Sequence, residues 1–402
     1  MKAIIKPSFL KGKMSAPPSK SYAHRIMICA SLAGGTSKIS NIAESQDLLA
    51  TADCIKALGA NIEKIGNNAF ITGITEKKGG KITLACRESG STLRFLIPIA
   101  CALYDFSVFN GSKRLIERGI SVYEDIFKGC GIEVLKTDTE ITLKGRLTPR
   151  EYTVSGNVSS QFISGLLFAL PLLDGDSKIT VIPPVESKPY IDITLSVLKE
   201  FGINIKEECE NSYVIKGNQR YLPKNMTVTG DWSNSAVFFA LNELGSDIQI
   251  SGLSKDSLQG DKIITEYVKL LKTDNPIIDV SSCPDLAPVL FALASALGGA
   301  EFIGTARLKI KESDRAEAMK EELLKFGIKT EIYDNRVIIC KGDLRPPKEA
   351  ILSHNDHRIV MALAMLLTIT GGVIEGIEAV SKSYPDFFDV LSSLGAEVSY
   401  ET

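Results

Sequence analysis

The residues of this chain best suited to chemistry on phosphates lie in six short polar turns. They read Ser15-Ala16-Pro17-Pro18-Ser19-Lys20-Ser21, Arg87-Glu88-Ser89-Gly90-Ser91, Ser155-Gly156-Asn157-Val158-Ser159-Ser160, Gly230-Asp231-Trp232-Ser233-Asn234, Ser281-Ser282-Cys283-Pro284-Asp285 and Ser353-His354-Asn355-Asp356-His357. Each delivers Ser, Asn, Asp, Gly or Lys to the start of an apolar run. There a helix exposes unpaired amides and the positive end of its dipole, a ready anion site. Taken singly, each turn is also an ordinary N-cap. Cations add to the turns: Lys20 and Arg25 flank the first, Arg94 lies one helical turn inside the second, and Arg358 opens the sixth. Further cations sit in Lys113-Arg114-Leu115-Ile116-Glu117-Arg118, a stretch expected to be a loop after a strand, and in Lys309-Ile310-Lys311-Glu312-Ser313-Asp314-Arg315 before a helix. Ser187-Lys188-Pro189-Tyr190 and Ser381-Lys382-Ser383-Tyr384-Pro385 follow the same pattern. A solvated face explains any one such run. Their recurrence at corresponding positions lets two halves of the chain present them to one shared cleft. No G-x-x-x-x-G-K-[ST] occurs, so Gly90 does not belong to a Walker loop.

The elements that must hold these turns repeat along the chain. A short β-type run, a polar turn and an apolar helix recur six times, with helix-opening residues Tyr22, Thr92, Gln161, Ser235, Leu286 and Arg358 spaced by 70, 69, 74, 51 and 72. A second, amphipathic helix in each unit stops near 59, 131, 202, 273, 327 and 395, usually at a Gly, which supplies the left-handed cap at no Cβ cost. Each unit is an α/β piece of about 70 residues, small enough to be only marginal alone. Six units suggest two domains of three, with helices buried and sheets outside. Phe162 to Leu173 and Val289 to Leu297 are apolar nearly all round, as buried helices are. The fourth unit is about 16 to 20 residues shorter, which points to a trimmed connection.

Composition narrows the partners. Across 402 residues, 46 Lys+Arg face 48 Asp+Glu, so the net charge is −2 and a general polyanion binder with a basic excess is excluded. Apolar stretches such as Ile359 to Ile369 are too short to span a membrane. Lys2 and Lys6 bracket only Ala3-Ile4-Ile5, leaving no room for a signal-peptide core. The eight cysteines lie no closer than 15 residues apart, without zinc or disulfide spacing, which leads us to expect a reduced, cytoplasmic protein. His354 and His357 invite a metal reading, but no Cys is near and Arg358 adjoins them; no metal is expected. Trp232 reads as a packing residue.

Seven motifs, in order, resemble the EPSP synthase (3-phosphoshikimate 1-carboxyvinyltransferase) family of enolpyruvyl transferases. They are Pro18-Ser19-Lys20-Ser21-Tyr22-Ala23-His24-Arg25, Ser89-Gly90-Ser91-Thr92-Leu93-Arg94, Ser159-Ser160-Gln161-Phe162, Ser187-Lys188-Pro189-Tyr190-Ile191, Lys311-Glu312-Ser313-Asp314-Arg315, Asn355-Asp356-His357-Arg358 and Lys382-Ser383-Tyr384-Pro385-Asp386. The resemblance runs from Lys13 to about Phe388. It implies two domains, each of three βαβαββ units about a pseudo-threefold axis, with residues 1–14 joining 230–402, residues 15–229 forming the other domain, and the active site in the cleft between. It implies transfer of the enolpyruvyl group of phosphoenolpyruvate to the 5-hydroxyl of shikimate 3-phosphate, with release of phosphate. No cofactor, no nucleic-acid or membrane partner and a monomeric state are expected. Carried over by motif, Lys20, Ser21, Arg25, Ser159, Ser160, Gln161, Ser187, Asp285 and Lys311 would hold shikimate 3-phosphate. Lys20, Gly90, Arg118, Gln161, Arg315, Arg358 and Lys382 would hold phosphoenolpyruvate. Lys20, Asp285 and Glu312 are the proton-transfer candidates.

Two positions depart from the family pattern. Glu88 stands where many relatives have Asn, and Arg307 stands where a shikimate-side Asn is usual, adding a cation near the substrate phosphate. The alternative within the fold is UDP-N-acetylglucosamine 1-carboxyvinyltransferase, whose loop typically carries a Cys or Asp where this chain reads Asn110-Gly111-Ser112-Lys113-Arg114-Leu115-Ile116-Glu117-Arg118. A non-catalytic repeat protein binding RNA or phosphorylated ligands is the alternative from another class; one Trp and a neutral balance speak against it.

Overall fold

A computed structural model describes residues 1–74 and 79–401. The chain divides into two compact units, Pro18–Thr229 and a discontinuous one made of Met1–Pro17 with Gly230–Thr402. The division falls three residues beyond the cut at 15, because strand Lys11–Ser15 pairs in parallel with Asp247–Ser251 along its whole length.

In the continuous unit, three sheets share one strand order. Lys81–Arg87 runs parallel to Phe106–Gly111, which pairs antiparallel with Glu140–Lys144, and that strand with Glu133–Lys136. Glu151–Ser155, Ser177–Ile182, Ser212–Ile215 and Ile205–Cys209 repeat the order, as do Met226–Thr227, Thr36–Ser40, Asn68–Thr72 and Asn61–Ile65. In the first two sheets a helix follows each of the first two strands, giving βαβαββ; in the third, Met226–Thr227 comes last in the chain, so helix Lys20–Leu32 opens that unit. Lys81–Arg87 alternates exposed and buried residues without a break, the period of a strand covered on one face only. Lys113–Glu117 is a short helix instead of the expected loop, because Ser112 Oγ accepts from Leu115 N at 3.2 Å and starts a turn.

The discontinuous unit contains Ile277–Asp279, Ala300–Ile303, Arg336–Ile339 and Thr330–Tyr333 in the same order. A second sheet reads Ile351–Leu352, Gly372–Glu375, Lys2–Ile5 and Val398–Glu401, so its third strand comes from the N-terminus. The remaining sheet has two strands, Lys11–Ser15 and Asp247–Ser251. This corrects the reading of the short fourth unit. What is trimmed is its antiparallel strand pair, not a connection. Helix Ile264–Leu270 is followed at once by Ile277–Asp279, and the residues between cannot form two strands and a turn.

The first helices of the six units begin at Lys20, Gly90, Ser160, Trp232, Ala287 and His357, spaced by 70, 70, 72, 55 and 70. Each of the two compact units has one apolar core built on three of these helices. In the continuous unit, helices Gly90–Leu103 and Ser160–Ala169 approach so closely that a Cβ on Gly165 would lie 2.1 Å from Tyr123 Oη and 2.4 Å from the Arg94 carbonyl. Tyr123 Oη donates to that carbonyl at 2.6 Å and lies 3.0 Å from the carbonyl of Phe162, tying the two helices together. Trp232 packs as expected, stacked on Phe239 at 5.7 Å with its indole N–H on the Ser254 carbonyl. Among the described residues, no helix is long and apolar enough to cross a membrane.

Candidate active site

In the continuous unit, the expected residues join one polar network at helix starts. Lys20 is the first residue of helix Lys20–Leu32, capped by Ser19, and its ammonium lies 2.7 Å from Asp47 Oδ2. The Asp47 carbonyl accepts from Thr92 Oγ1 at 3.4 Å, two residues from Gly90. A Cβ on Gly90 would fall 3.0 Å from Arg118 Nη2, so the missing side chain is what admits that guanidinium. The Arg118 carbonyl accepts from Arg94, and Arg94 Nη1 donates to Gln161 Oε1 at 2.7 Å. Because the Arg94 guanidinium can only donate, it fixes the orientation of the Gln161 amide, whose Nε2 then donates to Ser91 Oγ at 2.9 Å. Ser159 caps this helix by accepting from Gln161 N, and Ser160 is its first residue.

Arg25 is 2% exposed and already engaged by three partners: Thr194 Oγ1 at 2.8 Å, the Ser21 carbonyl at 2.7 Å and the Tyr190 carbonyl at 3.0 Å. Two of its five N–H groups are left for a ligand. Burial pulls its pKa down to about 10. Ser187, in the left-handed region at φ 56°, precedes helix Lys188–Glu200 and accepts from Tyr190 N, so it supports the residue on which Arg25 rests.

The discontinuous unit gathers the carboxylates. Asp285 Oδ1 accepts from Lys311 Nζ at 3.0 Å and Arg315 Nη1 at 2.7 Å, while Glu312 Oε2 accepts from Arg315 Nη2 at 2.9 Å. Asp356 Oδ2 accepts from Arg315 Nε at 2.9 Å and Ser313 Oγ at 3.1 Å. Arg315, only 1% exposed, is therefore ringed by three carboxylates and sets Asp285 and Glu312 relative to each other. Asp356 Oδ1 also caps helix His357–Thr370 by accepting from Arg358 N at 2.9 Å. Arg358 is 6% exposed, and its Nε and Nη1 are buried without a hydrogen-bond partner. A desolvated guanidinium in that state favours an anion strongly. Lys382 Nζ donates to the Asn355 carbonyl at 2.6 Å.

The electrostatics follow from this packing. Burial pushes the Asp285 carboxyl up, but Lys311, Arg315 and Arg358 outweigh it and hold its pKa well below the usual range. Burial lowers the pKa of Lys311 from 10.5, against the pull of Asp285. Arg315 stays charged because Asp356, Glu312 and Asp285 overcome its desolvation.

Three contributors escaped the sequence reading. Asp47 carries no local signature. Asp356 lay inside a quoted motif without a role. His24 sits in another, and its Nδ1 lies 2.7 Å from Thr51 Oγ1, which meets Thr92 Oγ1 at 2.7 Å. Thr92 Oγ1 also lies 2.7 Å from Ser89 Oγ, the cap of the Gly90 helix. Burial, with Lys20 and Arg25 nearby, keeps His24 neutral by lowering its pKa well below 6.5. Arg307 is buried with Nη2 on the Ser281 carbonyl at 2.5 Å, so part of its fork serves the backbone. Glu321, Glu322 and His354 bring metal-type donor atoms within 4.8 Å of one another, but Glu322 is already bonded to Lys325, Leu352 N and His354.

Known proteins share this architecture. A solved EPSP synthase from Acinetobacter baumannii is 25% identical and superposes with a TM-score of 0.78, covering 99% of this chain and all of that one. The enolpyruvyl transferase NikO from Streptomyces tendae, at 16% identity and a TM-score of 0.75, shares the fold. Repeated βαβαββ units with anion-ready helix starts thus define a transferase of the enolpyruvyl transferase fold. The family model for EPSP synthase (3-phosphoshikimate 1-carboxyvinyltransferase) matches residues 4–391. The 3-phosphoshikimate 1-carboxyvinyltransferase of Clostridium kluyveri is 44% identical, covering 98% of this chain and 97% of that protein; the one from Clostridioides difficile is 40% identical with the same coverage. The chain belongs to the EPSP synthase family.

Proposed function

We propose that the two polar networks act together on one pair of substrates, and that Asp285, Glu312 and Lys20 move the protons. The reaction is transfer of the enolpyruvyl group of phosphoenolpyruvate to the 5-hydroxyl of shikimate 3-phosphate, a step of aromatic amino acid biosynthesis. Ser21, Arg25, Ser159, Ser160, Gln161, Ser187 and Lys311 hold shikimate 3-phosphate, with Lys20 and Asp285 at its reacting side. Gly90 and Gln161 line the phosphoenolpyruvate position, where Lys20, Arg118, Arg315, Arg358 and Lys382 supply charge. Bidentate Arg forks suit phosphate and carboxylate, and Lys provides a movable point charge.

Asp285 takes the hydroxyl proton as the oxygen attacks C2 of phosphoenolpyruvate. Glu312 or Lys20 delivers a proton to the methylene C3, giving a tetrahedral ketal phosphate. Loss of a C3 proton and cleavage of the C2–phosphate oxygen bond then yield the enolpyruvyl ether and phosphate. A carboxylate held at low pKa is a weak base on its own. Bound polyanions draw Lys311 and Arg358 toward themselves and add negative charge nearby, both of which raise the basicity of Asp285. The same cations stabilise the ketal phosphate.

The observation that carries this reading is the Asp285–Arg315–Glu312 bridge beside Arg358, whose buried Nε and Nη1 have no hydrogen-bond partner. The test is phosphate release with phosphoenolpyruvate and each acceptor. Release is expected with shikimate 3-phosphate; release only with UDP-N-acetylglucosamine would overturn the assignment. Lys20→Ala and Arg358→Ala are each expected to lower turnover by about 100-fold or more, with the thermal transition retained. Full activity in both would discredit the site. A monomeric state and a cytoplasmic location belong to the same proposal.

A further inference from the structure

A buried carboxylate outside the substrate-binding networks braces the turn that carries Arg358. Glu322 lies on helix Arg315–Lys325 and is 1% exposed. Its Oε1 is 2.9 Å from His354 Nε2, and its Oε2 accepts from Leu352 N at 2.9 Å and Lys325 Nζ at 2.9 Å. Lys325 also donates to the Ala350 carbonyl at 3.2 Å. All of these contacts but the one with Lys325 itself reach the segment Ala350–His354. His354 and Asn355 then take φ values of 48° and 52°, a left-handed conformation that persists only when the surroundings over-determine it.

The next residue, Asp356, returns to Arg315 at the opposite end of the same helix. One helix therefore grips the turn twice, through Arg315–Asp356 and through Glu322 with His354 and Leu352 N. Seven residues separate Arg315 from Glu322, a span of roughly 10 Å along the axis. Held to that rod are the Asn355 carbonyl, which receives Lys382 Nζ, and Arg358, whose N–H is anchored on Asp356. Without the Glu322 grip, two consecutive left-handed residues with side chains are free to relax toward ordinary backbone conformations. That relaxation moves the Asn355 carbonyl and the start of helix His357–Thr370 together.

We propose that Glu322 and His354 are positioning residues for phosphoenolpyruvate binding, acting through the turn that sets Arg358 and Lys382. The inference rests on the reading that those two cations hold phosphoenolpyruvate. Glu322 and His354 touch no substrate; their contribution is the geometry of the cations.

Steady-state kinetics on the full chain test it, with His354→Leu, His354→Gln, Glu322→Gln and the control Arg358→Lys. His354→Leu is expected to raise KM for phosphoenolpyruvate by about tenfold and leave KM for shikimate 3-phosphate within about twofold. His354→Gln keeps an N–H donor for Glu322 Oε1 and is expected to recover most of that loss. Glu322→Gln gives the same split if the Leu variant does not fold. An unchanged phosphoenolpyruvate KM in the His354 and Glu322 variants, alongside a raised one in Arg358→Lys, overturns the inference alone. An unchanged KM in Arg358→Lys overturns the site reading on which it rests. Equal rises for both substrates, or a Gln variant no better than Leu, also overturn the positioning role.

Discussion

Asp285 and Lys311 share one ion pair, and their opposite burdens predict the pH behaviour of the enzyme. The Asp285 carboxyl is held below its usual 3.8, so it is ionised throughout the neutral range. Lys311 loses its proton earlier than a free lysine because burial lowers its pKa from 10.5. As pH rises, the Lys311 ammonium is therefore neutralised before a free lysine would be, and activity is expected to fall on the alkaline side. Lys311→Arg keeps its charge there, so the alkaline limb of kcat/KM is expected to move to higher pH. A limb that stays in place would assign it to another group. Residue types and their order along the chain were legible: Lys20, Arg358 and the Ser–Ser–Gln run read as helix starts, and the structure sets them there. Partner choice was not. Nothing in the sequence pairs Arg315 with Asp285, Glu312 and Asp356, which lie 30, 3 and 41 residues away and ring its fork. Only folding decides which carboxylates meet there.

Helices of this fold are placed by close approach as much as by apolar stripes. At Gly165 a side chain has no room, since Tyr123 Oη and the Arg94 carbonyl would both lie inside contact distance of a Cβ. Gly165→Val is expected to destabilise the continuous unit by about 2–4 kcal/mol and to disturb Arg94, the partner of Gln161. Urea unfolding measures the first, and KM for phosphoenolpyruvate the second; a shift below about 0.5 kcal/mol would show that the helices part without cost. The repeat was legible at this scale because a buried helix and its Gly stop leave marks in sequence at a steady period. The fate of the fourth unit was not. A spacing of 51 says that residues are missing, and helix starts alone cannot tell a shortened connection from a lost strand pair. Likewise the polar chain from Ser89 through Thr92 and Thr51 to His24 joins three helices, and no local pattern in any of them discloses it.

Charge balance over the whole molecule hides a strong local order, with 46 cations nearly cancelled by 48 anions while Arg and Lys gather at helix starts. The two units also differ in how they are strung. Pro18–Thr229 completes its three sheets from its own residues, down to the short closing strand Met226–Thr227. Expressed alone, it is expected to fold with a cooperative thermal transition, whereas 230–402 without the first 17 residues is not. Cooperative folding of that second fragment would show that Lys2–Ile5 and Lys11–Ser15 are dispensable. Strand Lys2–Ile5 lies between Gly372–Glu375 and Val398–Glu401. It is synthesised about 390 residues before its last neighbour, Val398–Glu401. At about 5–20 residues per second that delay is roughly 20–80 s. Between Thr229 and Gly372 the nascent chain therefore carries a finished body with a tethered strand bare on both edges, and any pause in translation there lengthens that exposure.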